Sequence, residues 1–270
     1  MKYDLFISDY DGTLGVAPKN TIDDETRDAI NKFVAKGGVF VVCSGRETSS
    51  ITRILRENGL KGLVASFQGA RISDIESGKY LFNGGLDTQT AVSLLDDLKP
   101  FGLTALAYTE DGFFYDEFTP YIDGYEKAVR LKGEVCDVKQ KILKENYKAS
   151  KLCWLGDDKT VNEVAKIMNE KYQGKGVNFN SGARFLLEAI NANCGKGQAV
   201  KFIADYYNIP LEKVITVGDS TNDIELVKGE WHGVCVGDGR EELKAVAKEI
   251  TLPFEQKPVK YLLEKYCLND

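Results

Sequence analysis

The chain has 270 residues, 43% of them hydrophobic, and a net charge of −6. That length supports one large domain or two moderate ones, each with its own core. The acidic balance argues against a generic nucleic-acid binder, which carries a basic face, but leaves room for an anionic small substrate, because local fields can oppose net charge. No run of about 18 apolar residues occurs, so no membrane span is expected. The opening MKYDLFISDYDG is too polar for a signal peptide. Cys43, Cys136, Cys153, Cys194, Cys235 and Cys267 are scattered and form neither a zinc signature nor a disulfide framework. These features together point to a cytoplasmic, reduced protein. With His232 as the one histidine, Ser-His-Asp and Cys-His mechanisms have little material; beside Trp231, His232 reads as an incidental loop residue.

Residues 3–8 form a short apolar run expected to be a buried strand. Residues 21–38 read as a helix, with Thr21 able to cap it, acidic residues in its first turn, and Ile30, Phe33 and Val34 as an apolar stripe. Gly37 and Gly38 end it. Residues 39–44 are an uninterrupted apolar strand of the kind covered on both faces. A helix follows at about 47–58, with Ile51, Ile54 and Leu55 inward, and then a third strand at 63–67. Alternating strands and helices with short links imply a parallel sheet with right-handed crossovers.

The texture then changes. Residues 110–112, EDG, resemble a hairpin connection. Helices are expected at about 87–99 and 158–172, the latter with Val161, Val164, Ile167 and Met168 on one face. A hairpin over 177–190 is expected to turn at Ser181-Gly182. After about residue 191 the α/β pattern returns: a helix in GQAVKFIADYY, strands in KVITVGD and GVCVGD, and a closing helix in PVKYLLEKY. The fold class is therefore α/β, a doubly wound and mainly parallel sheet, formed by residues 1–82 and 191–270. An α+β domain, residues 83–190, is inserted into it.

In such sheets ligands sit beyond the carboxyl ends of the strands. Three of those ends carry polar clusters: SDYDGT with Asp9 and Asp11, CSGR with Ser44, Gly45 and Arg46, and GDSTND with Asp219, Asn222 and Asp223. Lys196 opens a helix between two glycines. Taken singly, DYDGT could be a turn, GDSTND a capped loop and SGR a helix start. If the strands are neighbours, the groups converge, and several carboxylates in one crevice require a cation. Oxygen donors without His or Cys select Mg2+. A lysine, a hydroxyl and backbone N–H groups at helix starts add an anion cradle. Metal, cradle and free carboxylate together describe phosphoryl transfer to an aspartate.

These residues resemble the four ordered motifs of the haloacid dehalogenase superfamily. DYDGT matches D-x-D-x-T/V, Ser44 the second motif, Lys196 the third and GDSTND the acidic fourth. The short stretch from Asp9 to Ser44 has no room for a cap domain, whereas the stretch from Ser44 to Lys196 does. A cap in that place is similar to the Cof-type, class IIB phosphatases, with residues 83–190 as the cap that selects substrate. The resemblance implies a phosphoric monoester hydrolase acting on small phosphate esters, sugar phosphates foremost, with Asp9 as nucleophile and metal ligand. It implies Asp11 as general acid and then base, with its carbonyl on the metal, Asp219 as the third protein ligand and Asp223 holding metal-bound waters. Ser44, the Gly45 and Tyr10 amides, Asn222 and Lys196 would bind the phosphoryl oxygens. Superfamily ATPases carry threonine where Asp11 stands and preserve the phosphoenzyme, so Asp11 favours hydrolysis.

Two segments depart from the pattern. Gln68 in FQGA stands where the family usually has Asn, Glu230-Trp231-His232 is bulkier than the usual pattern, and Asp238 stands where the family has Asn. They bear on the substrate rather than the reaction. A receiver-type signalling domain would be shorter and would lack the insert. A catalytically silent metal-binding scaffold would not need Asp11. A phosphosugar mutase would need basic cap residues for a second phosphate, and Arg130 and Arg184 are the cap's arginines. Tyr108, Tyr115, Tyr125, Trp154 and Arg184 are cap candidates for substrate contact, although aromatics in strands are more often core.

Overall fold

Apolar segments of four or five residues, joined by helices, dominate the two ends of the chain, and a parallel ladder is what such crossovers allow. A computed structural model describes residues 1–15, 19–109, 112–129, 131–183 and 185–269. It contains an eight-stranded sheet in the order Glu249–Ile250, His232–Cys235, Val214–Gly218, Leu5–Ser8, Val39–Cys43, Leu63–Ser66, Arg71–Asp74, Tyr80–Asn83. The first six strands are parallel, and Arg71–Asp74 returns antiparallel. Phe6, Phe40, Val42 and Val217 pack on one face against Ile30, Phe33, Ile51 and Leu262. Leu5, Ile7, Val41 and Val214 pack on the other against Val200, Ile203 and Ala204. Burial on both faces is why these strands read as unbroken apolar runs.

The chain divides into two compact units, Met1–Phe82 with Gly195–Asp270, and Asn83–Cys194. The second unit holds a six-stranded sheet in the order Val177–Ala183, Leu186–Asn191, Lys151–Leu155, Thr104–Tyr108, Phe113–Tyr115, Glu134–Val135. Its pairings are antiparallel except the last. Helices Thr88–Leu98 and Asp158–Lys171 bury Leu94, Leu98, Val161, Val164 and Met168 against Ala107, Leu152, Trp154 and Leu187. Asn191 Nδ2 and Cys194 Sγ both donate to the Gly84 carbonyl, at 2.9 and 2.7 Å, which fastens the unit's two chain ends together.

Several local expectations are corrected. Asp23, not Thr21, caps the first helix, Asp24–Ala35, by accepting from the Thr26 N–H. Val34 and Ile167 fall off the buried stripes and are 50% and 47% exposed, since each lies next to a stripe position rather than on it. The strand Val177–Ala183 runs through Ser181 and Gly182. A register shift after Asn180 lets Ala183 pair with Leu186, so the connection comes later than expected. His232 begins a strand rather than lying in a loop; its Nε2 meets Glu249 Oε2 at 2.9 Å and its ring stacks on Tyr3. Glu110 and Asp111 of the EDG connection lie outside the described residues, but the strands flanking it pair antiparallel, Tyr108 opposite Phe113.

Candidate active site

Leu5–Ser8 lies between Val214–Gly218 and Val39–Cys43, so the segments after three adjacent parallel strands meet at one edge. Asp9, 4% exposed, accepts from Lys196 Nζ at 2.6 Å. The same ammonium donates to Asp223 Oδ1 at 2.5 Å. Lys196 is the first residue of the helix Lys196–Tyr206 and is 1% exposed. Carboxylate oxygens of Asp9, Asp219 and Asp223 lie within 4.8 Å of one another. The Asp219 and Ser220 N–H groups donate to Asp223 Oδ2 at 3.0 and 3.1 Å, fixing the turn that carries all three residues.

The electrostatics are those of under-compensated negative charge. Burial pushes the Asp9 carboxyl up to about 8, against the pull of Lys196. Burial, helped by Asp223, pushes Asp219 up to about 6. Burial works against the Lys196 ammonium, but Asp9 and Asp223 hold it above the ordinary lysine value. One ammonium among three clustered carboxylates leaves the ionised cluster short of positive charge. Its all-oxygen donor set fits a hard cation such as Mg2+.

Asp9, Asp11, Gly45, Arg46, Gln68, Asp219, Ser220 and Asn222 line a cavity of about 360 Å3. Gly12 has φ +77°, and a Cβ there would stand 2.6 Å from Asp219 Oδ2, so the turn joining Asp11 to the cluster requires glycine. Arg46 forks onto Asp11: Nε donates to Oδ2 at 2.7 Å and Nη2 to Oδ1 at 2.6 Å. A Cβ on Gly45 would meet Gln68 Nε2 at 2.4 Å, so the carboxamide of Gln68 lies directly on that glycine.

The structure thus brings Asp9, Lys196, Asp219 and Asp223 into one cluster, and Asp11, Gly45 and Asn222 to the same cavity. Ser44 is buried beside it, its Oγ accepting from the Arg46 N–H at 3.1 Å. The Tyr10 side chain turns into the core under Arg46, whose guanidinium is 5.1 Å from the ring centroid. Only its backbone is left for the cavity side. Sequence reasoning gave no role to Arg46, Gln68 or Ser220. Arg46 had a usable signal, a guanidinium two residues after Ser44 at a strand end facing acidic groups. Gln68 had only its departure from the family pattern. In the second unit Tyr108, Tyr115, Tyr125 and Trp154 are all buried, as core aromatics are, while Arg130 and Arg184 lie outside the described residues. A larger cavity there, about 550 Å3, is lined by Asp96, Lys99, Asp116, Lys139 and Trp154 among others; Trp154 is the one expected contact residue in that lining.

Residues 6–263 match the family described as haloacid dehalogenase-like hydrolase. The chain is 25% identical to the phosphatase YwpJ of Bacillus subtilis, over 96% of this chain and 98% of that protein. It is 24% identical to an HMP-PP phosphatase of Yersinia enterocolitica, over 90% and 86%. Among solved structures, a Thermotoga maritima protein superposes with a TM-score of 0.85 at 22% identity, covering 99% of this chain and 100% of that one. A haloacid dehalogenase-like hydrolase from Bacteroides thetaiotaomicron gives 0.82 at 24% identity, over 98% and 99%.

Proposed function

Because the chain belongs to the haloacid dehalogenase-like hydrolases, we propose that it is a Mg2+-dependent phosphatase of small phosphate monoesters, sugar phosphates foremost, working through an aspartyl phosphate on Asp9. The observation that carries this reading is the buried Lys196 ammonium bridging Asp9 and Asp223, with Asp219 in the same 4.8 Å cluster, at the end of a central strand. The names of the two phosphatase relatives support the same class.

Asp9 and Asp219 would hold the ion through carboxylates and Asp11 through its carbonyl, with Asp223 acting through water. Bound there, Mg2+ supplies positive charge against the phosphoryl oxygens. Lys196 keeps Asp9 in place and adds a positive charge of its own. Ser44, Asn222 and the Tyr10 and Gly45 amides donate to the phosphoryl group. An Asp9 oxygen bonds to phosphorus as the ester P–O bond breaks, and Asp11 gives its proton to the departing oxygen. A water oxygen then bonds to phosphorus, its proton passes to Asp11, and the acyl–phosphate P–O bond breaks to return the Asp9 carboxylate. We assign substrate selection to Asn83–Cys194, because the groups lining the cavity of the first unit are suited to phosphoryl, cation and proton and leave the organic part of the substrate unread.

The test is Asp9→Asn. This near-isosteric change should lower turnover of 4-nitrophenyl phosphate by roughly 10⁴-fold or more while the circular dichroism stays native. Acid-quenched single turnovers of the unaltered protein should trap a hydroxylamine-sensitive phosphoryl group that the variant lacks. Undiminished turnover by the variant refutes the reading. A panel of sugar phosphates, other monoesters and pyrophosphate esters then tests the substrate class.

A further inference from the structure

The Arg46–Asp11 pair is too open to be explained by stability. Its side chains are 21% and 48% exposed, and exposed ion pairs contribute about 0–1 kcal/mol. Yet its geometry is built. The Arg46 N–H donates to Ser44 Oγ, its carbonyl accepts from the Phe67 N–H at 2.9 Å, and the Ser44 carbonyl accepts from the Gln68 N–H at 3.0 Å. Phe67 and Gln68 hold φ of +49° and +58° to make those bonds, and strain of that kind gathers at functional sites. The guanidinium also rests on the Tyr10 ring. Backbone and side chain are both fixed, so the fork aims one carboxylate that also lines the cavity.

The two-bond fork uses both Asp11 oxygens as acceptors, so it fixes the plane and the aim of the carboxyl group. Each oxygen keeps a second lone pair free. We propose that Arg46 is a positioning residue that holds Asp11 as proton acceptor for the attacking water, in the step that releases phosphate. This rests on the aspartyl-phosphate reading above. The water's O–H bond breaks, its oxygen bonds to phosphorus, its proton goes to a free Asp11 lone pair, and the bond from phosphorus to Asp9 breaks.

Arg46→Gln and Arg46→Lys test this with 4-nitrophenyl phosphate and Mg2+, by rapid-quench measurement of the two steps. Lysine keeps the charge without the fork. Phosphoenzyme formation should stay within about threefold of the unaltered protein, because this leaving group needs little protonation. Phosphoenzyme hydrolysis should fall about 10–100-fold in the glutamine variant, part of what general base catalysis supplies, and less in the lysine variant. Phosphoenzyme should then accumulate and a burst should appear. A normal burst amplitude also reports a folded site. Equal loss in both steps, an effect confined to KM, or no change in hydrolysis overturns the proposal. Asp9→Asn and Asp11→Asn run alongside separate the two ideas. If Asp11→Asn traps phosphoenzyme and the Arg46 variants do not, only the positioning role fails. If no phosphoenzyme forms in any of them, the phosphatase mechanism itself fails.

Discussion

Each unit sets a lysine against carboxylate, fully buried in the first and half-buried in the second, and the two clusters differ in balance. In the second unit Lys151 Nζ donates to Glu188 Oε1 at 2.5 Å across neighbouring strands, over the ring of Tyr108. Burial opposes its ammonium and Glu188 more than restores it. In the first unit Lys196 faces Asp9 and Asp223 with Asp219 close by, and the Asp9 and Asp219 carboxyls stay raised. A lysine whose charge is more than restored by its carboxylate is a structural solution. A cluster left short of positive charge is costly alone and becomes favourable when a cation and a phosphoryl group arrive. Burying charge therefore does not mark a site by itself, but leaving it unbalanced does.

The contrast breaks most visibly on metal removal. Exhaustive chelation should cut turnover by roughly 10³-fold or more, and Ca2+ should restore little, because its larger coordination sphere engages both oxygens of a carboxylate nucleophile. The chelated protein should also melt lower, since an ion bound only by the folded state adds about 2.7 kcal/mol at a hundred times its Kd. Full activity in chelator would dissolve the distinction between the two clusters.

Next in size is Asp11→Asn. Phosphoenzyme formation from sugar phosphates should fall about 10²–10⁴-fold, and from 4-nitrophenyl phosphate much less, because only the alkoxide needs protonation. Pre-steady-state bursts with the two esters measure the contrast, and equal losses would remove Asp11 as the acid.

The two lysines give the direct comparison. Lys196→Met should destabilise by about 3 kcal/mol, the cost of leaving a buried carboxylate without its cation, and Lys151→Met by less, because Glu188 is partly exposed. In thermal melts, the gap between chelator and Mg2+ should widen for Lys196→Met, where an ion can replace the lost charge, and stay unchanged for Lys151→Met. Identical gaps would mean that the first cluster is structural as well.

The smallest effect belongs to Glu249. Burial pushes its carboxyl up, but donors from Tyr266, His232 and Lys265 bring it below the ordinary glutamate value. A carboxyl lowered by folding adds stability above the unfolded value of about 4.3, and loses it as pH falls through the lower folded value. Glu249→Gln should therefore flatten the fall in Tm as pH drops below the unfolded value of about 4.3. An unchanged slope would show that this cluster contributes nothing to acid sensitivity.

Much of the first unit was legible in the chain. Val39–Cys43 and Val214–Gly218 show themselves because a strand covered on both faces must be apolar throughout. Asp9, Lys196, Asp219 and Asp223 were legible because carboxylates and a lysine at strand and helix ends have few structural reasons to be there. Val34, Ile167 and the later turn after Ala183 were not, because the width of a buried stripe and the register of a hairpin depend on the partner that packs against them.

By itself the sequence determined the α/β class and the list of groups available for chemistry, since these follow from local period and residue type. Tertiary structure alone decided that Arg46 forks onto Asp11, that Gln68 lies on Gly45, and that Tyr108 and Tyr125 serve the core of their own unit. Those partners are distant in the chain or turned by strained backbone, and a side chain's neighbour is set by where the fold carries it rather than by the residues beside it.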